Sequence, residues 1–376
     1  MPRIVSRLRL EPPYFWMAVG IAVAILYGSF YPFNFVSRHL IHPYDPHGPV
    51  GVLLESGFRL GPRDDVVANL LLYAPFGFFA FYAIRARVVA AVALATVVGF
   101  GMSLAVELGQ FYAAGRFQQI SDLSANTVGM LAGALAAAVV RDLDFSPYVV
   151  LILTCWLGER CYPAEALPSR LELWRVFVGW LAAGPMLEDL CGETGGRVAL
   201  ALLLVGWIKV RTTMLGIGPL EIAAGTGAAL LWVFMQWKVP GRTKVVAAVV
   251  AAFVIVEALA PFHLSPTASA FDWEPFRALL DAGTETAIRV FLAKAFLYGG
   301  LLWLLARAGM TVAASGALSV ALVFCLSVAQ TRLPGHSGEI TDAVLVLMLT
   351  AMLKLVSLAQ RPGPATFPTN NSGVDR

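Results

Sequence analysis

The chain has 376 residues, 58% of them apolar and only 14% charged, with a net charge of +3 and a mean hydropathy of +0.73. Soluble domains carry charge on about a quarter of their residues, so this composition excludes an ordinary soluble fold. The small positive balance is scattered between apolar runs and gives no basis for a nucleic-acid surface. Four cysteines (Cys155, Cys161, Cys191, Cys325) show no CxxC or Cys/His ligand spacing, so no metal, cofactor or disulfide scaffold is expected.

Runs of roughly 20 mostly apolar residues mark membrane spans. They fall at 14–31, 65–84, 88–110, 122–140, 147–160, 172–188, 197–211, 217–237, 243–260, 288–306, 311–331 and 339–359. The expected fold is therefore an all-α polytopic integral membrane protein of about twelve transmembrane helices. Arg3, Arg7 and Arg9 precede the first run without a small-residue cleavage site, so that run reads as a retained anchor. These arginines put the N-terminus in the cytoplasm, and Arg85/Arg87 and Lys238/Arg242/Lys244 then fall in inside loops. Lys209 and Arg211 run against that bias. Two long connections, 32–63 and 261–287, mix aromatic and apolar residues with charges, as short amphipathic stretches at an interface do. The tail 361–376, rich in Pro, Gly and Asn, reads as disordered.

A repeated polar pattern divides the chain into blocks. The first copy runs Ser103, Glu107, Gln110, Asp122, Asn126, and the second runs Ser327, Gln330, Asp342. Gln110 to Asp122 and Gln330 to Asp342 have the same spacing, and each copy follows a Pro-Phe step, Pro32-Phe33 or Pro261-Phe262. The division is a four-helix repeat at 1–145, a middle block at 146–240, a second, diverged repeat at 241–360, and the tail. The middle block also offers four spans, with Cys161-Tyr162-Pro163 and a Lys209–Glu221 pair at the same spacing, and reads as a third, degenerate copy. Aligning on Gln330 puts Ser327 in the place of Glu107 and Val346 in the place of Asn126.

In the first copy, Ser103, Glu107 and Gln110 share one helix face, and Asp122 and Asn126 share a face of the next. That second face continues into Gly129 and Gly133, a spacing that lets another helix approach closely. The short connector 111–121 makes the two helices antiparallel, so Glu107, Gln110 and Asp122 meet near the outer surface. Asn69 and Tyr73 begin the second span from the same side, above Pro75 and Gly77. Two acids in low dielectric can act as an acid/base pair, bind a cation, or accept hydrogen bonds from a headgroup. Singly, Gln110 and Asn126 read equally well as interhelical glue; Glu107 with Asp122 reads as functional, because burying two acids is a poor route to stability. His263 and His336 lack partners at ligand spacing and read as loop or interfacial residues.

The patterns Asn69-x5-Pro75-Phe76-Gly77, Ser103-x3-Glu107-x2-Gln110 and Asp122-x3-Asn126-x2-Gly129 resemble the VanZ-like family of bacterial membrane proteins over about residues 14–140. Residues 243–360 resemble a diverged second copy, with Lys294, Tyr298-Gly299, Gln330 and Asp342 where the family has its polar set. The resemblance implies a multi-pass protein of the bacterial inner membrane with an envelope role. The family takes its name from a protein conferring low-level resistance to teicoplanin, so an effect on glycopeptide susceptibility is part of that expectation. On this reading the chain binds a membrane lipid or lipid-linked envelope precursor through Asn69, Tyr73, Ser103, Glu107, Gln110, Asp122 and Asn126, with Gln330 and Asp342 as second-copy candidates. The alternatives are an intramembrane enzyme with Glu107 and Asp122 as acid and base, and a transporter. Against an enzyme stands the lack of a nucleophile with its base, a metal set or a phosphate-cradling loop.

Overall fold

The computed structural model describes residues 9–36, 48–58, 63–142, 146–160, 169–215 and 218–360. The first block comprises α1 (Pro12–Phe30), α2 (Gly48–Glu55), α3 (Arg63–Ala83), α4 (Val88–Gln110) and α5 (Ile120–Val140). The middle holds α6 (Pro147–Arg160), α7 (Arg170–Val210), a π-helical turn at Arg211–Leu215, and α8 (Pro219–Lys238). The last block is α9 (Arg242–Leu259), α10 (Arg277–Asp281), α11 (Thr284–Arg307), α12 (Val312–Gln330) and α13 (Thr341–Ala359). Two-residue strands β1 (Arg9–Leu10) and β2 (Ile84–Arg85) pair antiparallel beside the start of α1. Helices dominate because hydrocarbon offers the backbone no partners, and a helix satisfies its own N–H and C=O groups.

Nine helices among the described residues are long and apolar enough to cross a membrane. The protein is an all-α polytopic membrane protein. The expected segments 172–188 and 197–211 are joined in α7, whose 41 residues contain Gly192 at φ 73°, ψ 175°. That conformation is open essentially to glycine alone. The two arms fold back on each other there, since a Cβ on Gly196 would lie 2.7 Å from Cα of Glu188. Glu188 accepts from Arg242 at 2.6 Å and Gln236 at 2.9 Å, and Asp189 pairs with Arg307. The tip of α7 thus sits with the end of α8, the start of α9 and the end of α11.

The opposite end gathers the connections that frame the polar clusters. Tyr27 near the end of α1 donates to the Pro275 carbonyl at 2.8 Å, and its ring meets Phe276 edge-on. The 261–283 segment of the last block is therefore held against α1 of the first. Between the blocks, Trp156, Trp180 and Trp207 form a buried aromatic chain that reaches Phe296 of α11.

In the first block α3 and α5 touch backbone to backbone. A Cβ on Gly77 would lie 2.0 Å from the Met130 carbonyl oxygen, and one on Gly133 would lie 1.9 Å from that of Ala74. Gly129 faces Leu70 in the same way, at 2.7 Å. When Gln110 is aligned with Gln330, Gly129 and Gly133 correspond to Leu349 and Leu353, both buried in α13. Branched side chains there forbid the same approach. α11 instead turns Gly299 towards α6, where Tyr148 donates to its carbonyl at 3.2 Å.

Replacing Gly133 by alanine forces α3 and α5 apart, an overpacking that costs about 1–3 kcal/mol. Its thermal unfolding temperature in detergent falls below that of wild type. Gly101→Ala on α4 is the control, because a Cβ there meets nothing within 4 Å; equal melting of the two variants would refute the close packing.

Candidate functional site

The first and last blocks each build their loop end around the C-terminus of their first long helix. The last carbonyls of a helix have no partner within it. Those of α1 are met by Arg116, which donates to Tyr31 O at 2.9 Å and Gly28 O at 3.2 Å, and by Gln110, which donates to Ser29 O at 3.2 Å. Cationic donors suit this end of a helix, where the backbone dipole is negative. The end of α9 is treated alike. Gln330 donates to Ala258 O at 3.1 Å, and His336 Nε2 lies 2.6 Å from Ala260 O. Both turns carry phenylalanine in the left-handed region, Phe33 at φ 62° and Phe262 at φ 63°, each donating its N–H back to the helix. Gln110 and Gln330 thus engage helix carbonyls rather than the acids beside them.

The polar cluster of the first block sits between α3, α4 and α5. Glu107 is buried, and its Oε2 accepts the Gln119 N–H at 3.0 Å. Gln118 donates its amide to the Glu107 carbonyl at 2.6 Å. One turn earlier on α4, Ser103 Oγ accepts from Asn126 Nδ2 of α5 at 2.9 Å. Tyr73 of α3 brings its buried hydroxyl beside Ser103 and Ser29. Asp122, half-buried, stands one turn before Asn126, with Asp65 and Glu107 as its acidic neighbours. Asn69 is half-buried one turn before Tyr73. From above, α2 closes on α5 through Ser56, whose Oγ accepts the Ile120 N–H at 3.1 Å. Leu53 of α2 is buried while Leu54 is 66% exposed.

Tyr73 OH, Gln118 Oε1 and Asn126 Oδ1 are buried without a hydrogen-bond partner. Each such atom costs about 1–3 kcal/mol. Three gathered round one helix triplet mark the cluster as incomplete rather than as finished glue. Among the described residues no group of three His, Cys, Asp or Glu side chains is placed to hold a metal ion.

The second block holds a different arrangement at the same level. Asp342 accepts from Lys294 Nζ at 2.6 Å and from Tyr298 OH at 2.7 Å. Ser327 is buried at the position of Glu107 and Val346 at that of Asn126. In the middle block Lys209 is exposed and does not face Glu221. Arg211, two residues on, donates to the Glu221 carboxylate at 3.2 Å in a buried ion pair. Cys161-Tyr162-Pro163 and the tail from 361 lie outside the described residues.

Sequence reasoning missed Gln118, Gln119 and Arg116. The available signal was polar residues packed into a short connector between two apolar helices, where each polar group needs a nearby partner.

Residues 15–141 match the VanZ/LLP1 family model. The match spans α1 through α5, and with them the whole first cluster, so the similarity to that family covers this block. Nothing among the curated proteins and nothing among the solved structures matches the chain.

Removing one partner of a buried ion pair strands the other charge, at a cost of about 3–5 kcal/mol where burial is complete and less here, since Lys294 is partly accessible. Lys294→Met therefore lowers the melting temperature, and the double change Lys294→Met/Asp342→Asn recovers most of the loss. A double variant as unstable as the single one would show that Lys294 contributes packing rather than charge.

Proposed function

We propose that this VanZ-like membrane protein binds the polar group of a lipid or lipid-linked envelope component in the cluster between α3, α4 and α5. The observation that carries the reading is the set of buried polar atoms without partners, on Tyr73, Gln118 and Asn126. They surround Ser103 and Glu107 and offer a hydroxyl and two amide oxygens to hydroxyl and amide donors of a sugar or peptide headgroup. Asn69 and Asp122 stand at the mouth, and Gln110 and Arg116 hold the end of α1 that borders it.

Orientation supports the same reading. Arg9, Arg85, Arg87, Lys238, Arg242, Lys244 and Arg307 lie at the end away from the clusters, on elements joined by the β1–β2 pair and the α7 tip. By the positive-inside rule that end is cytoplasmic and the cluster opens to the outer leaflet of the bacterial inner membrane. Residues 1–145 and 241–360 are then two VanZ-like copies related by duplication, with 146–240 packed between them and about twelve crossings in all. The shared helix-end bonding by Gln110 and Gln330, and by Arg116 and His336, supports the duplication. The outer leaflet is also where glycopeptide antibiotics act, and a change in susceptibility follows from that placement.

Mass spectrometry of lipids co-purifying with wild type and with Asn126→Leu and Glu107→Ala/Asp122→Ala variants tests the proposal. An enriched polar lipid in wild type, lost from folded variants, is the expected result; bulk-like lipid in all three would sink it. Glu107→Gln separates binding from catalysis, because an amide keeps the hydrogen bonds of a holding site but cannot exchange a proton. Retained lipid with retained cellular function in that variant rules out an acid/base reaction.

A further inference from the structure

The second block has a cleft at its loop end. It has a volume of about 160 Å³ and runs between α10, the start of α11 and the start of α13. Phe276, Leu279, Val290 and Leu345 give it apolar walls, and Phe291 at 38% exposed stands at its rim within a membrane-spanning helix. Two charged side chains reach its floor, Lys294 and Glu339. Lys294 commits one donor to Asp342 and is partly accessible, so it retains N–H groups for a second anion. Glu339 is 9% exposed, and its Oε2 is buried with no partner. Its cationic neighbour, Lys294, is already bonded to Asp342. The position of Glu339 is fixed, because the backbone of residues 338–340 is bonded to Asp272 on both sides.

We propose that this cleft binds the headgroup of an aminophospholipid, its primary ammonium on Glu339 and its phosphate on Lys294, with an acyl chain leaving past Phe291. Charge complementarity selects this occupant. An anionic lipid satisfies Lys294 but leaves Glu339 bare, and a trimethylammonium headgroup has no N–H to give Oε2. The volume suits a headgroup rather than a whole amphiphile, since pockets that enclose drug-sized ligands begin at about 300 Å³. This site is separate from the cluster of the first block and draws on none of its residues.

The test is native mass spectrometry of the full chain released from nanodiscs of equimolar phosphatidylethanolamine, phosphatidylglycerol and phosphatidylcholine. Wild type retains phosphatidylethanolamine over the other two. Glu339→Gln reduces that preference on the order of tenfold, the factor that one lost charge-assisted hydrogen bond gives. Ala287→Phe fills the cleft without touching either charge and abolishes retention, while Gly101→Ala on α4, where a Cβ meets nothing, leaves it intact. Equal retention of the three lipids by wild type would overturn the proposal. So would an undiminished preference in Glu339→Gln or Ala287→Phe proteins that melt like wild type.

Discussion

The backbone contact between α3 and α5 sets the geometry of the first block. Gly77, Gly129 and Gly133 leave no side chain between the two helices, so carbonyl oxygens lie where a Cβ would otherwise be. Asn126 continues the stripe of Gly129 and Gly133 towards the loop end, and the close approach carries it to Ser103 on α4. Without hydrocarbon-soluble partners for polar groups, every donor and acceptor so gathered must find a protein atom or a ligand. Glu107 finds the Gln119 N–H. Asn126 Oδ1 and Gln118 Oε1 find nothing. The incompleteness of the cluster is thus a consequence of how tightly the scaffold around it closes.

The last block lacks that contact and solves the same packing problem with charge. Leu349 and Leu353 occupy the corresponding positions of α13, and the space they open next to α11 is bridged by Lys294 and Tyr298 reaching Asp342. A buried carboxylate with both a cation and a phenol is well satisfied, unlike its counterpart Asp122 with acidic neighbours. Buried ion pairs add little net stability over apolar packing. Their strength is orientation, and here the pair fixes α11 against α13 at the level where the cleft begins.

Much of this was legible in the sequence. Hydropathy runs located the helices, and the polar spacing singled out Ser103, Glu107, Asp122 and Asn126, because helix periodicity decides which residues share a face. Gln110 and Gln330 stood out by their shared spacing, yet their job did not: both bind carbonyls at helix ends, and spacing along one helix says nothing about the end of another. The α7 turn escaped for a similar reason. Gly192 is one glycine among many, and only its positive φ shows that the chain reverses there. Lys209 was matched to Glu221 by spacing alone, and Arg211, at the start of the π-helical turn, is the side chain that pairs with that acid.

The two blocks also exchange the element that carries their acid. On the alignment of Gln110 with Gln330, Glu339 stands where Gln119 stands, and Ser327 where Glu107 stands. In the first block the helix supplies the carboxylate and the connector supplies the N–H that binds it. In the second the connector supplies the carboxylate, and the helix position opposite has become a buried serine. An acid held by its own connector is turned inward and locked. An acid on the connector has lost that donor and turns instead towards the apolar cleft beneath α10. The two halves therefore hold different polar sites, a cluster around Glu107 among the helices of the first and a charged cleft beneath α10 in the last.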